Sequence, residues 1–114
     1  MKENFAEYAV YTLLNLIPIG KVTTYGSLAK VLNVHPRVIG RILAKNRELV
    51  KIPCHRVVKS NGELGGYSGS TVKFKAKLLM LEGVKVYERN GKYYVDKECI
   101  LDIFSELFSA KNLR

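Results

Sequence analysis

The stretch Thr23–Lys45, TTYGSLAKVLNVHPRVIGRILAK, decides the fold of this chain, because it carries the signals of two helices separated by a tight turn. Thr24 is a suitable N-cap for the first helix, and Asn33 can end it in a left-handed conformation. Pro36 fits the first position of the second helix, which is predicted to run to about Lys45. Apolar positions at helical spacing give each helix an inner face: Leu28, Val31 and Leu32 in the first, and Ile39, Ile42 and Leu43 in the second.

The outer face of the second predicted helix is small and basic. It consists of Arg37, Gly40, Arg41 and Ala44, at spacings that put them on one side of the helix. A glycine inside a helix costs about 1 kcal/mol relative to alanine, which is reasonable where that face approaches another backbone closely. Two short helices with this turn and this surface match a helix-turn-helix DNA-binding motif. The alternative is a pair of ordinary amphipathic helices with solvated arginines.

Residues 51–58, KIPCHRVV, place a thiol between a proline and a histidine. Pro53 stiffens the chain at Cys54, while His55 and Arg56 supply a proton acceptor and positive charge, which favour a thiolate. Residues 57–58 have the composition of a short buried strand. Cys54 is accordingly a candidate nucleophile. The alternative is a structural role, since cysteine is among the most buried residue types.

The composition predicts one domain, residues 1–114, with a polyanionic partner. Lys plus Arg outnumber Asp plus Glu by 19 to 10, for a formal net charge of +9. Such a charge favours nucleic acid first and an anionic surface second, with simple solubility as the alternative. No stretch predicts a membrane span or a signal peptide, so we expect a cytoplasmic protein without membrane contact. Cys54 and Cys99 form no metal-ligand pattern, and a reducing compartment argues against a disulfide.

Two further helices are predicted on either side of these stretches. Residues 4–16 carry an apolar stripe that predicts a helix with its aromatic side chains in the core, and residues 71–82 predict a helix that stops at Gly83. The stripe consists of Phe5, Tyr8, Ala9, Thr12, Leu13 and Leu16. Glu82 falls in the last turn of the later helix, where the helix dipole disfavours a carboxylate by roughly 0.3–1 kcal/mol. That position suggests a second task for Glu82, although a solvated surface glutamate is the commoner case.

Asn-Gly pairs predict two hairpins, because both residues tolerate positive φ. One surrounds Asn61-Gly62, between residues 56–58 and Leu64, and the other surrounds Asn90-Gly91, between residues 84–87 and 92–95. Asp96 is predicted to cap a last helix to about Ser109. Between the first hairpin and the 71–82 helix, glycines frame Tyr67 and Ser68. That segment suits either a plain linker or a wall that lets a flat ligand approach closely.

Several short segments, in this order along the chain, resemble the O6-alkylguanine-DNA alkyltransferases, which take an alkyl group from DNA onto their own cysteine. They are residues 20–25 (GKVTTY), Arg37 with the Gly40-containing helix, Asn46, residues 53–57 (PCHRV), residues 66–69 (GYSG) and residues 81–83 (LEG). The resemblance covers residues 5–83. It implies a mainly α, winged-helix-like domain with small β-hairpins that contains the helix-turn-helix. The domain would bind duplex DNA through the minor groove and flip the damaged guanine into a pocket beside the cysteine.

The same resemblance implies the roles of individual residues at the DNA. Arg37 enters the base stack and fills the vacated space, and Gly40, Arg41 and Ala44 lie on the same DNA-facing helix. Tyr25 aids flipping at the neighbouring phosphate, and its hydroxyl can donate to the guanine ring.

For the chemistry, the resemblance implies a Cys, water, His, Glu chain made by Cys54, His55 and Glu82, in which the imidazole takes the thiol proton. Asn46 holds the loop that carries the cysteine. The base pocket is lined by the side chains of Tyr67 and Ser68 and by the backbone carbonyls of Cys54 and Val57.

Two features depart from the family. Its members usually carry an extra N-terminal domain, in which some bind zinc, and few residues precede the match here, so we expect no metal and no cofactor. Residues 84–109 follow the match. They are predicted to be a hairpin and a helix that pack on the core, residues 5–83, within one monomeric domain.

We therefore expect a DNA-repair transferase that carries an alkyl group from O6-alkylguanine in double-stranded DNA to Cys54 and is consumed in doing so. One alternative is an alkyltransferase-like damage-recognition protein, which would share this domain but replace the cysteine. Another is a winged-helix transcription factor with a structural cysteine, which leaves Tyr67 and Glu82 unexplained.

Overall fold

The computed structural model describes residues 3–46, 52–66 and 71–108, without the side chains of Glu3 and Asn4. The helices are α1 (Glu3–Leu14), α2 (Tyr25–Leu32), α3 (Pro36–Ala44), α4 (Val72–Leu81) and α5 (Ile103–Phe108), with short 3-10 helices at Cys54–Arg56 and Lys97–Cys99. The strands are β1 (Thr23–Thr24), β2 (Val57–Val58), β3 (Val86–Arg89) and β4 (Lys92–Val95). The fold is mainly α with small two-stranded sheets, and this prediction is confirmed.

The helix-turn-helix forms from α2 and α3, as its capping residues predict. The Thr24 hydroxyl accepts a hydrogen bond from the backbone N of Ser27 at 3.0 Å, and Asn33 ends α2 in the left-handed region at φ 55°. Pro36 stands at the start of α3. Because caps satisfy the end groups of a helix locally, the sequence alone determines where these two helices begin and end. The predicted inner face of α3 is buried: Ile39, Ile42 and Leu43.

The face of α1 that enters the core shares only Leu13 with the predicted buried residues. The buried set contributed by α1 and the turn after it is Ala6, Val10, Leu13, Leu14 and Ile17. Phe5, Tyr8 and Leu16 are instead 60%, 72% and 57% exposed, so their placement in the core is wrong. Residues 5–17 are apolar on nearly every side, so two stripes at helical spacing compete. The stripe that enters the core carries Val10, Leu14 and Ile17, whereas the exposed side carries Tyr8 and Asn15 together with the half-buried Glu7.

The two sheets have different origins. β1 pairs in parallel with β2, with Thr23 opposite Val57, and so joins the start of the helix-turn-helix to the segment after the cysteine. β3 and β4 form the predicted antiparallel hairpin, in which Asn90 and Gly91 both have positive φ, at 52° and 78°. This second hairpin prediction is confirmed.

The first predicted hairpin is wrong in its pairing. The Asn61-Gly62 turn does form, closed by a bond from Lys59 N to Glu63 O at 2.8 Å. Its flanks pair elsewhere, since β2 pairs with β1 and Glu63 forms a bridge to Tyr94 in β4. The turn was recognisable from its own residues, but the partners of its flanks come from distant parts of the chain.

The segment after Gly83 contacts the helix-turn-helix side of the molecule through Val22. The Val22 amide donates to Cys99 O at 2.9 Å and its carbonyl accepts from Leu101 N at 2.6 Å. These bonds hold the chain extended, so the predicted single helix from Asp96 is wrong: Asp96 caps only the 3-10 helix, and α5 begins at Ile103. That residues 84–109 are an extension on a core of residues 5–83 remains a prediction.

Candidate active site

Cys54 lies at the first position of a 3-10 helix, where it is buried to 4% exposure. Pro53 precedes it with φ −78°, and the backbone N of Cys54 donates to Ile52 O at 2.7 Å in a tight turn. β2 follows the 3-10 helix at once and is anchored on β1. The thiol is therefore fixed from both sides by backbone geometry.

Asn46 ties this thiol to the end of the helix-turn-helix. Its side chain is buried at 3% exposure, just beyond the end of α3. The amide Nδ2 donates to Ile52 O at 3.1 Å and to Cys54 Sγ at 2.8 Å. The structure thus places Asn46 against the cysteine segment, where the family resemblance expected it. Residues 47–51 of the intervening loop lie outside the described residues.

The resting thiol is protonated at neutral pH. Burial raises the pKa of Cys54 to about 11, although the hydrogen bond from Asn46 and the charge of Lys75 act to lower it. In the resting site, burial therefore outweighs the neighbouring groups that favour a thiolate. Because only the thiolate is a strong nucleophile, reaction at Cys54 requires a base that removes the proton.

A candidate base stands beside Cys54 in the sequence. His55 is fully buried, and its Nε2 lies 2.9 Å from Glu82 Oε2. A carboxylate at Nε2 assigns the Nε2–H tautomer, which leaves Nδ1 as the proton acceptor. Burial lowers the pKa of His55, although its hydrogen bond to the Glu82 carboxylate acts to raise it, so the imidazole is neutral and able to take a proton.

Arg56 holds Glu82 in place. Its Nε donates to Glu82 Oε1 at 2.9 Å and an NH2 group donates to Oε2 at 2.8 Å, while NH1 donates to Ile17 O at 3.1 Å. Burial acts to raise the pKa of Glu82, but the hydrogen bonds from Arg56 and His55 outweigh it and hold that pKa below its ordinary value. Sequence analysis treated Arg56 as charge near the sulfur and missed this role, because the carboxylate partner lies 26 residues away.

Tyr25 closes the same site from the start of α2. Gly65 lies beside its hydroxyl: a Cβ there would stand 3.6 Å from the phenol oxygen, an ordinary contact distance, and it is the φ of +72° that favours glycine at this position. Burial, followed by the charge of Cys54, raises the pKa of Tyr25, which keeps the hydroxyl protonated as a donor. Val57 is buried nearby. Tyr67 and Ser68, the other predicted pocket residues, lie outside the described residues.

The residues predicted to contact DNA lie together on the outer face of α3. Arg37, Arg41 and Ala44 are exposed, and Gly40 has no atom within 4 Å of the position that a Cβ would take. Together with His35, three of them line an open groove along the helix: Arg37, Gly40 and Arg41. Cys54, His55 and Asn46 are buried, while Tyr25 and Glu82 are half-buried, and Asn46 connects the thiol to the end of α3.

Two further features concern metal binding and membrane crossing in the described part of the chain. Among residues 3–46, 52–66 and 71–108, no three or more His, Cys, Asp or Glu side chains lie close enough together to hold a metal ion. In the same ranges, no helix combines the length and the apolar content that crossing a bilayer requires.

Comparison with known proteins assigns the family. Residues 6–84 match the family model described as 6-O-methylguanine DNA methyltransferase, DNA binding domain, and the chain belongs to this family. The methylated-DNA–protein-cysteine methyltransferase of Saccharolobus solfataricus is 50% identical over 80 residues, which are 70% of this chain and 52% of that protein. The protein of the same name from Pyrobaculum aerophilum is 44% identical over 97 residues, 85% of this chain and 64% of that protein. The chain thus spans about half the length of the Saccharolobus relatives.

Two solved structures resemble the chain to different extents. S. pombe Atl1, in complex with damaged DNA containing O6-carboxymethylguanine, superposes with a TM-score of 0.80 at 27% identity, over 89% of this chain and 98% of Atl1. The O6-methylguanine-DNA methyltransferase of Pyrococcus kodakaraensis gives a TM-score of 0.63 at 43% identity, over 68% of this chain and 46% of that one. Coverage of 89% exceeds what residues 1–84 can supply, so the likeness to Atl1 includes part of the segment after Val84.

Proposed function

We propose that this protein repairs DNA by moving an alkyl group from the O6 atom of guanine in duplex DNA onto Cys54. The observation that carries this proposal is the buried thiol beside His55, a neutral imidazole held by the carboxylate of Glu82. Membership of the methyltransferase family and the names of the relatives support it.

The chemical step is a displacement at the alkyl carbon. His55 takes the thiol proton, through a water molecule, and Glu82 stabilises the imidazolium that forms. The Cys54 sulfur then donates an electron pair to the alkyl carbon, and the bond from that carbon to O6 breaks with its electrons going to the guanine. The guanine takes up a proton, which in this proposal comes from the Tyr25 hydroxyl. The thioether left on Cys54 has no good leaving group, so each protein molecule reacts once.

The outer face of α3 would bring the DNA to this site. Arg37 and Arg41 are exposed beside Gly40, and the chain carries a net charge of +9, which suits a polyphosphate. We propose that Arg37 occupies the base stack when the guanine is flipped out. The flipped base would then lie against Tyr25 and the carbonyls of Cys54 and Val57, with Tyr67 and Ser68 completing the pocket.

A second candidate function is damage recognition without transfer. The structural likeness to Atl1 favours this second function. The likeness covers 98% of the Atl1 chain, and the Atl1 structure contains damaged DNA. In this case the protein would bind O6-alkylguanine in DNA and pass the lesion to other repair proteins. The presence of a thiol at position 54 favours transfer over recognition alone.

Incubation with a duplex that contains O6-methylguanine, followed by mass spectrometry of the intact protein and of its peptides, separates the two. Transfer predicts the gain of one methyl group, on Cys54, with one equivalent of DNA repaired per protein. Cys54→Ala is expected to bind the lesion and transfer nothing, while Cys99→Ser is expected to behave as wild type. If the wild type binds the lesion tightly but gains no methyl group, the recognition function is supported instead of transfer. A methyl group on Cys99, or many turnovers per protein, would contradict the proposed mechanism.

A further inference from the structure

His35 is a histidine on the groove of α3 to which the proposed function gives no task. It directly precedes α3 as the N-cap residue, in an extended conformation at φ −74° and ψ 145°. It is exposed and lines the open groove together with Arg37, Gly40 and Arg41. The residues preferred at an N-cap are Ser, Thr, Asp and Asn, which satisfy the helix end with a shorter side chain. The imidazole ring therefore offers this position something beyond the cap.

The cap bond of His35 decides which ring nitrogen carries the proton. Nδ1 lies 3.1 Å from the backbone N of Arg37 and accepts its N–H. A nitrogen that accepts has a free lone pair, so this bond assigns a neutral ring with its proton on Nε2. The two nitrogens are separated by one ring carbon and face away from each other. With Nδ1 directed at the start of α3, the Nε2–H donor is directed away from the helix.

This donor is free for a partner from outside the chain. Within residues 3–46, 52–66 and 71–108, no group accepts a hydrogen bond from Nε2 of His35. The residues that line the groove beside it in this part of the chain include the exposed guanidinium groups of Arg37 and Arg41 and no carboxylate. A groove with two cations and a neutral N–H donor favours an anionic ligand that carries several oxygen acceptors, which describes a nucleic-acid backbone.

We propose that His35 contacts DNA and has two tasks at once: Nδ1 caps α3, while Nε2–H donates a hydrogen bond to a phosphate oxygen of the duplex. This inference rests on the proposed function for the presence of duplex DNA on the outer face of α3, but it does not depend on alkyl transfer to Cys54. Because the capped amide belongs to Arg37, the ring also joins the phosphate contact to the residue proposed to enter the base stack.

A neutral donor differs from the neighbouring arginines in how its contact responds to salt. Each cation that neutralises a phosphate releases condensed counterions and adds about −0.9 to the slope of log K against log salt concentration. A neutral N–H releases no counterion. His35 is therefore expected to contribute to the affinity for duplex DNA without contributing to its salt dependence, whereas Arg41 contributes to both.

The test measures binding to an unmodified duplex, on which no transfer occurs, by fluorescence anisotropy at several salt concentrations. The pH is about 8, above the range in which histidine side chains ordinarily take up a proton. His35→Ser keeps an N-cap residue and removes the donor. We expect it to melt at the wild-type temperature and to bind about tenfold more weakly, the scale of one hydrogen bond to a charged group, with the wild-type salt slope. Arg41→Ala is the matched control from the same groove, and its slope is expected to be smaller by about 0.9.

Two further comparisons separate the tasks of His35 from each other and from catalysis. His35→Ala removes the cap as well as the donor, so it is expected to melt at a lower temperature than His35→Ser. His35→Ser is expected to react with the free base O6-benzylguanine at the wild-type rate, because that substrate has no backbone. If the wild type binds duplex DNA but gains no methyl group on Cys54, the proposed transfer fails while the inference about His35 stands.

A second measurement uses the unaltered protein. The chain has two histidines, of which His35 is exposed and His55 is fully buried. Nitrogen-15 NMR of the side chains therefore resolves both rings, and exposure to solvent identifies each. We expect Nδ1 of His35 to be the unprotonated nitrogen in the free protein, and its Nε2–H to become protected from solvent exchange when the duplex is added.

Three results would overturn the inference. One is a folded His35→Ser that binds the duplex as tightly as wild type, or a His35→Ser that does not fold, since either result confines His35 to the structure of the turn. Another is a loss of salt slope in His35→Ser equal to that in Arg41→Ala, which would make the ring a cation in the complex. The third is an Nε2–H that still exchanges freely with solvent in the presence of saturating duplex.

Discussion

Arg56 and Glu82 form a two-point ion pair, with Nε to Oε1 at 2.9 Å and NH2 to Oε2 at 2.8 Å. The guanidinium belongs to the segment that carries the thiol, and the carboxylate belongs to Glu82, the C-cap residue of α4. The pair therefore joins these two elements and, through Glu82, also orients His55. The paired oxygen Oε2 serves both Arg56 and His55, so a change in either partner is expected to disturb the other.

Arg56→Met is expected to destabilise the fold by about 3 kcal/mol, because it leaves the Glu82 carboxylate without its main partner in a largely buried site. Urea denaturation measures the change. Lys59→Met is the control, since Lys59 lies 3.6 Å from Glu63 in an ion pair whose lysine is half-exposed. Such surface pairs contribute at most about 1 kcal/mol. Equal losses in the two variants would show that the Arg56 pair is no stronger than a surface contact.

Glu82 is expected to make the protein sensitive to acid. Its pKa in the folded protein is below the ordinary value of about 4.3 that applies in the unfolded chain. A carboxyl group with a depressed folded pKa contributes stability above the unfolded pKa, and this contribution is lost as the pH falls through the folded pKa. Thermal melting from pH 7 down to pH 3 is therefore expected to show a steeper loss for wild type than for Glu82→Gln. Parallel dependences of the melting temperature on pH in wild type and Glu82→Gln would contradict a role of Glu82 in acid sensitivity.

Removal of the base is expected to change how the rate of alkyl transfer depends on pH. His55→Ala and Glu82→Gln should slow the reaction near pH 7 by about 100-fold or more, a typical contribution of general-base catalysis. Because the Cys54 thiol has its pKa raised to about 11, the rate of each variant should then rise with pH as the thiol ionises without help. Glu63→Gln is the control. Profiles with the wild-type shape would remove both residues from the mechanism.

The parts of this fold that could be predicted from the sequence are those set by neighbouring residues. The caps of α2 and the Asn90-Gly91 turn depend only on local hydrogen bonds and φ values. The buried face of α1 could not be predicted, because apolar residues surround that helix and only the packing of α2 and α3 selects Ala6. Lys75 looked like one of several solvated lysines, since the carbonyls that accept from its buried ammonium lie 9 to 18 residues away in segments without a sequence signature.

Arg37→Ala is expected to impair repair of duplex DNA more than reaction with free O6-benzylguanine. The reason is that Arg37 is exposed on α3, apart from the buried thiol, and its proposed task is to fill the space left by a flipped base. Single-turnover rates on both substrates measure the difference. Arg41→Ala, on the same exposed face, is the control for a simple phosphate contact. It is expected to weaken binding to duplex DNA without the specific loss of base flipping. Equal losses on duplex and free base would place the role of Arg37 in the fold or the pocket.

Truncation after Gly83 is expected to unfold the protein or destabilise it strongly. It removes both hydrogen-bond partners of the Val22 backbone. It also removes Val84, Val95 and Cys99 from the apolar cluster that contains Leu64, and so exposes the rest of that cluster. The truncation also removes Asp102, whose carboxylate accepts a hydrogen bond at 2.7 Å from the hydroxyl of Ser27 in α2. Circular dichroism and thermal melting measure the outcome. A truncated protein that melts like the full chain and still transfers alkyl groups would favour a partner-binding surface in that segment.

The position of Val22 between Cys99 and Leu101 also sets the order in which the site can be completed during protein synthesis. The strand that precedes Tyr25 gains these two hydrogen bonds only after residue 101 has left the ribosome, long after the thiol at position 54 has emerged. Contacts that close so long a loop form late, because the entropy of closure has to be overcome first. In a nascent chain, Cys54 would therefore stay incompletely buried for several seconds at ordinary rates of elongation, about 5–20 residues per second. During that interval, oxidants and soluble alkylating agents could consume the thiol before any DNA is met.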